Sequence, residues 1–571
     1  MELTCFDISS LSRIGSLSHS NSSVTLTLNP QFEPPFLKDN HSFSMHSRNP
    51  HNLRSVHAID LSSARLGIHR LPNEILSYIF VNAIQVCDFD DPSEAAYFPL
   101  TISHTCSRWR KVSISTGSLW TSIRLCLPYS LNQLTYLRTW LSRSRSYPLD
   151  ILLDFRDEEW DWEEEDHLFT HDAAKEIISV ILPHSKRWRH IEFFTDTWAP
   201  IHAFLDLTRD IDDLPVLKSV ALSRCNAYFA RKGECFKPVE LKEPIPLFTG
   251  GRLPALRDLA LVGVHVDWRQ SVMVNLLELE LKFHAYDVLP TLGEFTNILI
   301  SCPELERLSI VGWGPRLDAT FTDTRRVISM AKLTRLIFGF VDVEYAVMLL
   351  SLFHLPSLYE LDLEDVAAIV DPIGSSDAST LLTLLEVSST ELDAETCFFP
   401  LQQVDYLGLR SIRSSEAVFT QFLRRFSSLE KINLSDADSA LLTALGPQQF
   451  SPEPKAGISS KLRDRRPSFA SSLSTSLAPC PQLVDLTCRR VDMSVLSSVI
   501  SARAKAGSGV RPLQSVQLEL DNFESTCYDS DDGSSIASGL SDEDRTSLLK
   551  IGVDFRLMTS GLAHELLHEP L

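Results

Sequence analysis

Leu256-Arg-Asp-Leu-Ala-Leu261, Leu276-Leu-Glu-Leu-Glu-Leu281 and Leu305-Glu-Arg-Leu-Ser-Ile310 share one pattern, apolar-x-x-apolar-x-apolar. Looser copies begin at Leu217 upstream and at Leu333, Leu358, Leu382, Val404, Leu429, Leu483 and Leu513 downstream. From Leu256 to Leu429 the successive starts lie 20, 29, 28, 25, 24, 22 and 25 residues apart. The alternating half of each copy predicts a short strand with one apolar face. Between copies, Ala346–Phe353 and Ala417–Arg424 have helical spacing. One such unit cannot bury its own apolar edge, so the units must stack. Earlier units fit the same logic. Leu119–Leu127 and Leu149–Phe155 read as strands with Leu131–Arg143 as the helix between them, and Ile177–Leu182 leads into Trp188–Phe194.

This period resembles that of leucine-rich repeats, which run at roughly 20–29 residues. The resemblance implies an α/β horseshoe with parallel strands inside and helices outside. The Asn that usually closes such a repeat is mostly missing, as in degenerate intracellular repeats. The competing reading is a non-repeat α/β domain that uses the same strand pattern. Longer steps, from Leu217 to Leu256 and from Leu429 to Leu483, mark two insertions, the first spanning Cys225 to Phe248.

Ahead of the repeats lies a different block. His69-Arg-Leu-Pro-Asn-Glu-Ile-Leu-Ser-Tyr-Ile-Phe80 opens it, Cys106-Ser-Arg-Trp-Arg110 stands at its centre, and Gly117-Ser-Leu-Trp120 follows. Pro72 suits the first turn of a helix. Ile75, Leu76, Ile79, Phe80 and Ala83 then share one apolar face. Residues 84–99, with Asp88, Asp90, Asp91 and Pro92, read as a loop, and a second helix is expected from about Leu100 to Ile114. Arg108, Arg110 and Lys111 are expected to face water or a partner. Helices this short bury too little surface to stand alone.

The block resembles an F-box, closest to the large F-box-like group of fungi. The resemblance carries over the Leu-Pro start at Leu71 and Pro72 and the first-helix residues Ile75, Leu76, Ile79 and Phe80. It also carries over Cys106, Trp109, Arg110 and Val112 of the second helix and the Leu119-Trp120 pair. It implies that these residues dock the adaptor subunit of an SCF-type cullin–RING ubiquitin ligase.

The bulk composition limits other functions. The chain has 571 residues and a formal net charge of −21. That balance disfavours generic nucleic-acid binding and docking on anionic membranes. No apolar run approaches the ~20 residues needed to span a bilayer. The N-terminus lacks the basic start and apolar core of a secretory signal. Eleven scattered cysteines read as reduced thiols in a cytoplasmic or nuclear protein.

The expected organisation is a disordered tail over 1–66, an F-box-like helical domain over 67–124 and a repeat solenoid over 125–445. A disordered insertion over 446–476 and the last repeats over 477–524 come next. An acidic, Ser-rich tail with a short C-terminal helix closes the chain over 525–571.

Chemistry finds little to stand on. His564-Glu565-Leu-Leu-His568 spells a zincin motif, but Leu571 ends the sequence before a third ligand. Residues 157–166 pack eight acids around two tryptophans, which reads as a solvated loop or an acidic contact for a basic partner. Cys225, Cys235, His184 and His190 lack metal-ligand spacing. No catalytic, cofactor or metal site is expected. The function expected is recruitment: adaptor and cullin at the F-box-like block, and a protein client on the inner strand surface. Arg257, Asp258, Ala260, Glu306, Arg307, Ser309, Tyr359, Glu360 and Asp362 are outward positions there. The alternative is an interaction scaffold whose helical block only caps the repeats.

Overall fold

The computed structural model describes residues 68–86, 92–157, 160, 166–224, 233, 235–249, 251–317, 327–367, 376–389, 398–447, 478–505, 510–520 and 554–559. The expected tail over 1–66, the insertion over 446–476 apart from its first two residues, and the motif at His564 and His568 lie outside them, as do most of residues 157–166.

Three helices open the described chain: α1 (Asn73–Val86), α2 (Pro92–Thr105) and α3 (Ser107–Ser115). A 3-10 turn, Gly117–Trp120, leads into the repeats. The first strands are β1 (Ser122–Cys126), β2 (Leu149–Phe155), β3 (Trp188–Thr195), β4 (Ser219–Arg224), β5 (Asp258–Val262), β6 (Glu278–Lys282) and β7 (Arg307–Gly312). Then come β8 (Ile328–Ser329), β9 (Arg335–Phe340), β10 (Phe353–His354), β11 (Glu360–Asp365), β12 (Tyr406–Arg410) and β13 (Lys431–Ser435). The last are β14 (Asp485–Arg489), β15 (Ser515–Leu520) and β16 (Asp554–Thr559). Among the described helices between strands are α4 (Leu131–Arg143), α5 (His171–Ile181), α6 (Trp198–Thr208), α7 (Leu292–Ile300) and α8 (Val343–Leu350). They continue with α9 (Ser379–Ser388), α10 (Glu416–Leu423), α11 (Ser439–Ala444) and α12 (Met493–Ala504).

Fourteen strands form one parallel sheet whose spatial order follows the chain from β1 to β16. Short β8 and β10 pair separately with each other. A parallel neighbour in sequence order needs a return path on one side, which is what stacked repeats supply. The expected α/β repeat architecture is therefore what the chain adopts.

The repeat leucines explain the stacking. Leu217, Leu256, Leu276, Leu305, Leu333 and Leu358 sit just ahead of their strands and are each at most 1% exposed. The two apolar residues that follow in each strand point to the same side, as in Leu259 and Leu261 or Leu361 and Leu363. One continuous core runs from Leu76 in α1 to Leu518 in β15. Helix starts are fixed by side-chain caps. Asp342 accepts from Tyr345 N–H at 3.0 Å, Asp438 from Leu441 N–H at 2.9 Å, and Thr291 and Glu294 form a capping box. Each cap contributes about 1 kcal/mol.

Several strands exit through a left-handed residue. Gly263, Phe283, Ser411, Asp436 and Arg490 directly follow β5, β6, β12, β13 and β14, all with positive φ. Their N–H groups extend the ladder by one bond, as from Gly263 to Lys282 O at 2.7 Å and from Ser411 to Ser435 O at 2.9 Å.

Three expectations need correction. The copy at Leu382 is not a strand: it lies in α9, where Leu381, Leu382 and Leu385 are buried at helical spacing. The single helix expected from Leu100 to Ile114 is two, because Cys106 is extended (φ −159°, ψ 168°) and caps α3. Much of the loop expected over 84–99 is helix, with Pro92 opening α2 rather than ending α1. The first strand, Ser122–Cys126, falls inside the stretch Leu119–Leu127 read as a strand, and β16 falls within residues 525–571.

Candidate protein-docking site

The helical block is knitted together by its own side chains. Arg108 donates to Asn73 Oδ1 at 3.1 Å and to Leu71 O, tying α3 to the start of α1. This corrects the expectation that Arg108 faces water or a partner. Ser77 and Thr116 hydroxyls meet at 2.8 Å, and Ser113 donates to Pro99 O at 3.1 Å. Phe80 and Trp109 rings pack 4.9 Å apart.

Trp120 joins the block to the first repeat. It is fully buried, donates from Nε1 to Ser113 O at 2.9 Å, and sits edge-on to Trp140 of α4 at 4.8 Å. The Arg143 guanidinium lies 4.3 Å over its ring. The block therefore caps the β1 end of the sheet and shares the core of the repeats.

That sharing divides the twelve residues expected to dock an adaptor. Leu76, Phe80, Val112, Leu119 and Trp120 are at most 3% exposed and belong to the core of this chain. They are not available to a partner. Leu71, Cys106 and Trp109 are half-buried, and Pro72 and Arg110 are exposed. Ile75 and Ile79 stand 46% and 39% exposed. The single apolar face expected on α1 is thus two faces, with Leu76 and Phe80 inward and Ile75 and Ile79 outward. Between the outward pair stands Tyr78, 69% exposed, which was not among the expected residues. Its i+3 spacing from Ile75 was the available signal.

The second surface is the inward face of the sheet, opposite the leucines. Registers place its side chains in rows across the strands. One row reads Asp150, His190, Ser219, Asp258, Glu278, Arg307, Arg335, Glu360, Tyr406 and Lys431 from β2 to β13. Of the positions expected there, Asp258, Ala260, Arg307, Ser309, Glu360 and Asp362 lie on this face. Arg257, Glu306 and Tyr359 lie at its leading edge, one residue ahead of their strands. Asp258, Ala260 and Ser309 are at most 5% exposed.

Cations here face carboxylates. Lys282 is 3.2 Å from Glu280, Arg307 is 2.6 Å from Glu278, and Arg335 lies between Glu360 and Asp362 at 3.3 and 3.5 Å. Arg410 reaches Glu364 at 3.3 Å. Glu192 and Asp258 have no ion pair among the described residues. Burial pushes the Glu192 carboxyl up to about 7; Arg124 opposes this, while Asp150 and Asp154 add to it. Burial, with Glu278 beside it, pushes Asp258 up to about 6. Sequence reasoning missed Glu192, Glu280 and Arg335, although the polar half of each strand's alternation marks them.

Buried imidazoles stand apart from both surfaces. His265 stacks on Trp198 at 4.7 Å and His284 hydrogen-bonds to Val264 O at 2.9 Å. Burial lowers each to about 4, so both are neutral near pH 7. Among the described residues no group of three or more His, Cys, Asp or Glu is placed to hold a metal ion. No described helix is long and apolar enough to cross a membrane.

No family model and no curated protein matches this chain. A solved structure described as the crystal structure of the Rad7 and Elc1 complex in yeast aligns with 82% of this chain and 94% of that chain. The identity is 9% and the TM-score 0.29. Similarity this low carries no functional argument, so function rests on the chain's own residues.

Proposed function

We propose that this protein is a substrate-recognition subunit of an SCF-type cullin–RING ubiquitin ligase. The outward face of α1 docks the ligase adaptor, and the inward sheet face holds a protein client. Recruitment of this kind works by proximity and needs no catalytic residue in this chain.

The observation that supports this reading is the Ile75, Tyr78 and Ile79 stripe. It sits at i, i+3, i+4 on a helix whose other side is already buried, so packing among the described residues does not account for it. It also falls within the F-box-like Leu-Pro segment. Helix-in-groove docking uses anchors at this spacing. A scaffold whose block only caps the repeats would explain Leu76 and Trp120 but not the stripe.

The test is calorimetric titration of the purified ligase adaptor into the full chain and into an Ile75→Ala/Tyr78→Ala/Ile79→Ala variant. Binding by the wild type that weakens at least tenfold in the variant supports the proposal. A folded wild type that does not bind the adaptor overturns it.

A further inference from the structure

The middle row of the inward face has a regular spacing. From β1 to β12 it reads Arg124, Leu152, Glu192, Ala221, Ala260, Glu280, Ser309, Ile337, Asp362 and Gly408. A carboxylate recurs every third strand in the sheet, at Glu192, Glu280 and Asp362. Small or apolar residues floor the gaps between them. Gly408 makes room for the Asp362 carboxylate, which a Cβ there would overlap.

Among the described residues, several buried polar atoms on this face lack a hydrogen-bond partner, Arg124 Nε, Glu280 Oε1 and Arg335 Nε included. Ser309 Oγ, in the same row, and Asp258 Oδ1, in the next, make no hydrogen bond, and both residues are only 5% exposed. Such groups are normally satisfied. The face also holds more carboxylate than its own cations match: among the described residues Glu192 and Asp258 make no ion pair, Arg124 stands two strands from Glu192, and Lys282, Arg307 and Arg335 are already engaged.

Three strands span roughly 14 Å at the backbone, which four residues of extended chain also cover. We propose that this face binds an extended protein segment with a basic side chain at about every fourth residue, seated over Glu192, Glu280 and Asp362, the last two shared with Lys282 and Arg335. Complementary charge and matched spacing select the partner. This takes the inward face as the client surface, as proposed above, and it names the client's chemistry.

The test uses fluorescence anisotropy with the full chain and three labelled peptides. The first repeats Lys-Ser-Gly-Ser three times, the second replaces each Lys with Glu, and the third groups the three lysines together. The spaced lysine peptide is expected to bind best and to weaken as salt rises. Glu192→Gln/Glu280→Gln is expected to weaken it about fivefold or more. Glu280→Gln alone, checked by thermal melting, guards against misfolding of the double variant. Neutralising Asp529, Asp531, Asp532, Asp542, Glu543 and Asp544 of the acidic tail is expected to leave binding unchanged.

The proposal is overturned if no peptide binds, if spaced and grouped lysines bind alike, or if the tail variant alone loses binding. Adaptor binding through α1 is measured on the same double variant. It is expected to persist, so a failed client surface and a failed ligase reading give different results.

Discussion

The helical block and the inward sheet face expose opposite chemistry. On α1 the outward residues Ile75, Tyr78 and Ile79 carry apolar or aromatic side chains and are exposed. On the sheet the inward residues are charged, and many are nearly closed off from water, as at Asp258 and Lys282. An apolar stripe binds by area and should be insensitive to salt. A face of partly matched charges confers register and should be sensitive to it. The comparison sets two means of recognition in one chain side by side, apolar area at one end and charge spacing along its length.

The firmest way to break that comparison is to detach the block. Trp120→Ala removes a fully buried ring that contacts Trp140 and Arg143. It is expected to cost about 3–5 kcal/mol in denaturant unfolding. A separate early transition for the block, with the repeats unchanged, would show that the two parts are not one core.

Gly263→Ala tests the exit turn that lets strands stack. Gly263 has φ +63°, and an added Cβ would lie 2.8 Å from Arg224 O. The variant is expected to lose about 1–3 kcal/mol, measured by the shift in denaturation midpoint.

Glu192→Gln sharpens the electrostatic side. The folded pKa of Glu192 is raised to about 7, so the folded state binds the proton more tightly than the unfolded state does. Its contribution to stability is therefore unfavourable at pH 8 and fades as pH falls below the ordinary glutamate range. The variant is expected to be more stable than wild type at pH 8, by on the order of 1–3 kcal/mol. The gap should shrink as pH falls through about 7 and close only below about pH 4. Equal melting temperatures at pH 8 would contradict the burial argument.

The smallest effect on stability belongs to α1. Ile75→Ala/Tyr78→Ala/Ile79→Ala is expected to shift unfolding by only about 1 kcal/mol or less, because none of the three is buried. A large loss would mean that the stripe is core after all.

Most of the repeat architecture was legible in the sequence because strand alternation and the leucine two residues ahead of strands such as β4 to β7, β9 and β11 are local patterns. Leu382 misled because Leu-Leu-Thr-Leu-Leu fits both a strand edge and a helix face, and only packing decides between them. The break at Cys106 was invisible because a side-chain cap made by a cysteine carries no strong sequence signal. Which side of α1 faces inward could not be read from its apolar residues, since both sides are apolar. That choice is set by Trp109 and Trp120, which pack against the block from outside α1. The spacing of Glu192, Glu280 and Asp362 needed the strand register, because these residues lie far apart in sequence.

Hydrogen exchange on the full chain, with and without the purified ligase adaptor, tests the central claim most directly. The expected result is new protection confined to α1 and the neighbouring helical block, with β3 to β11 unchanged. Protection confined to the sheet, or none at all, would contradict an adaptor-docking role for the stripe on α1.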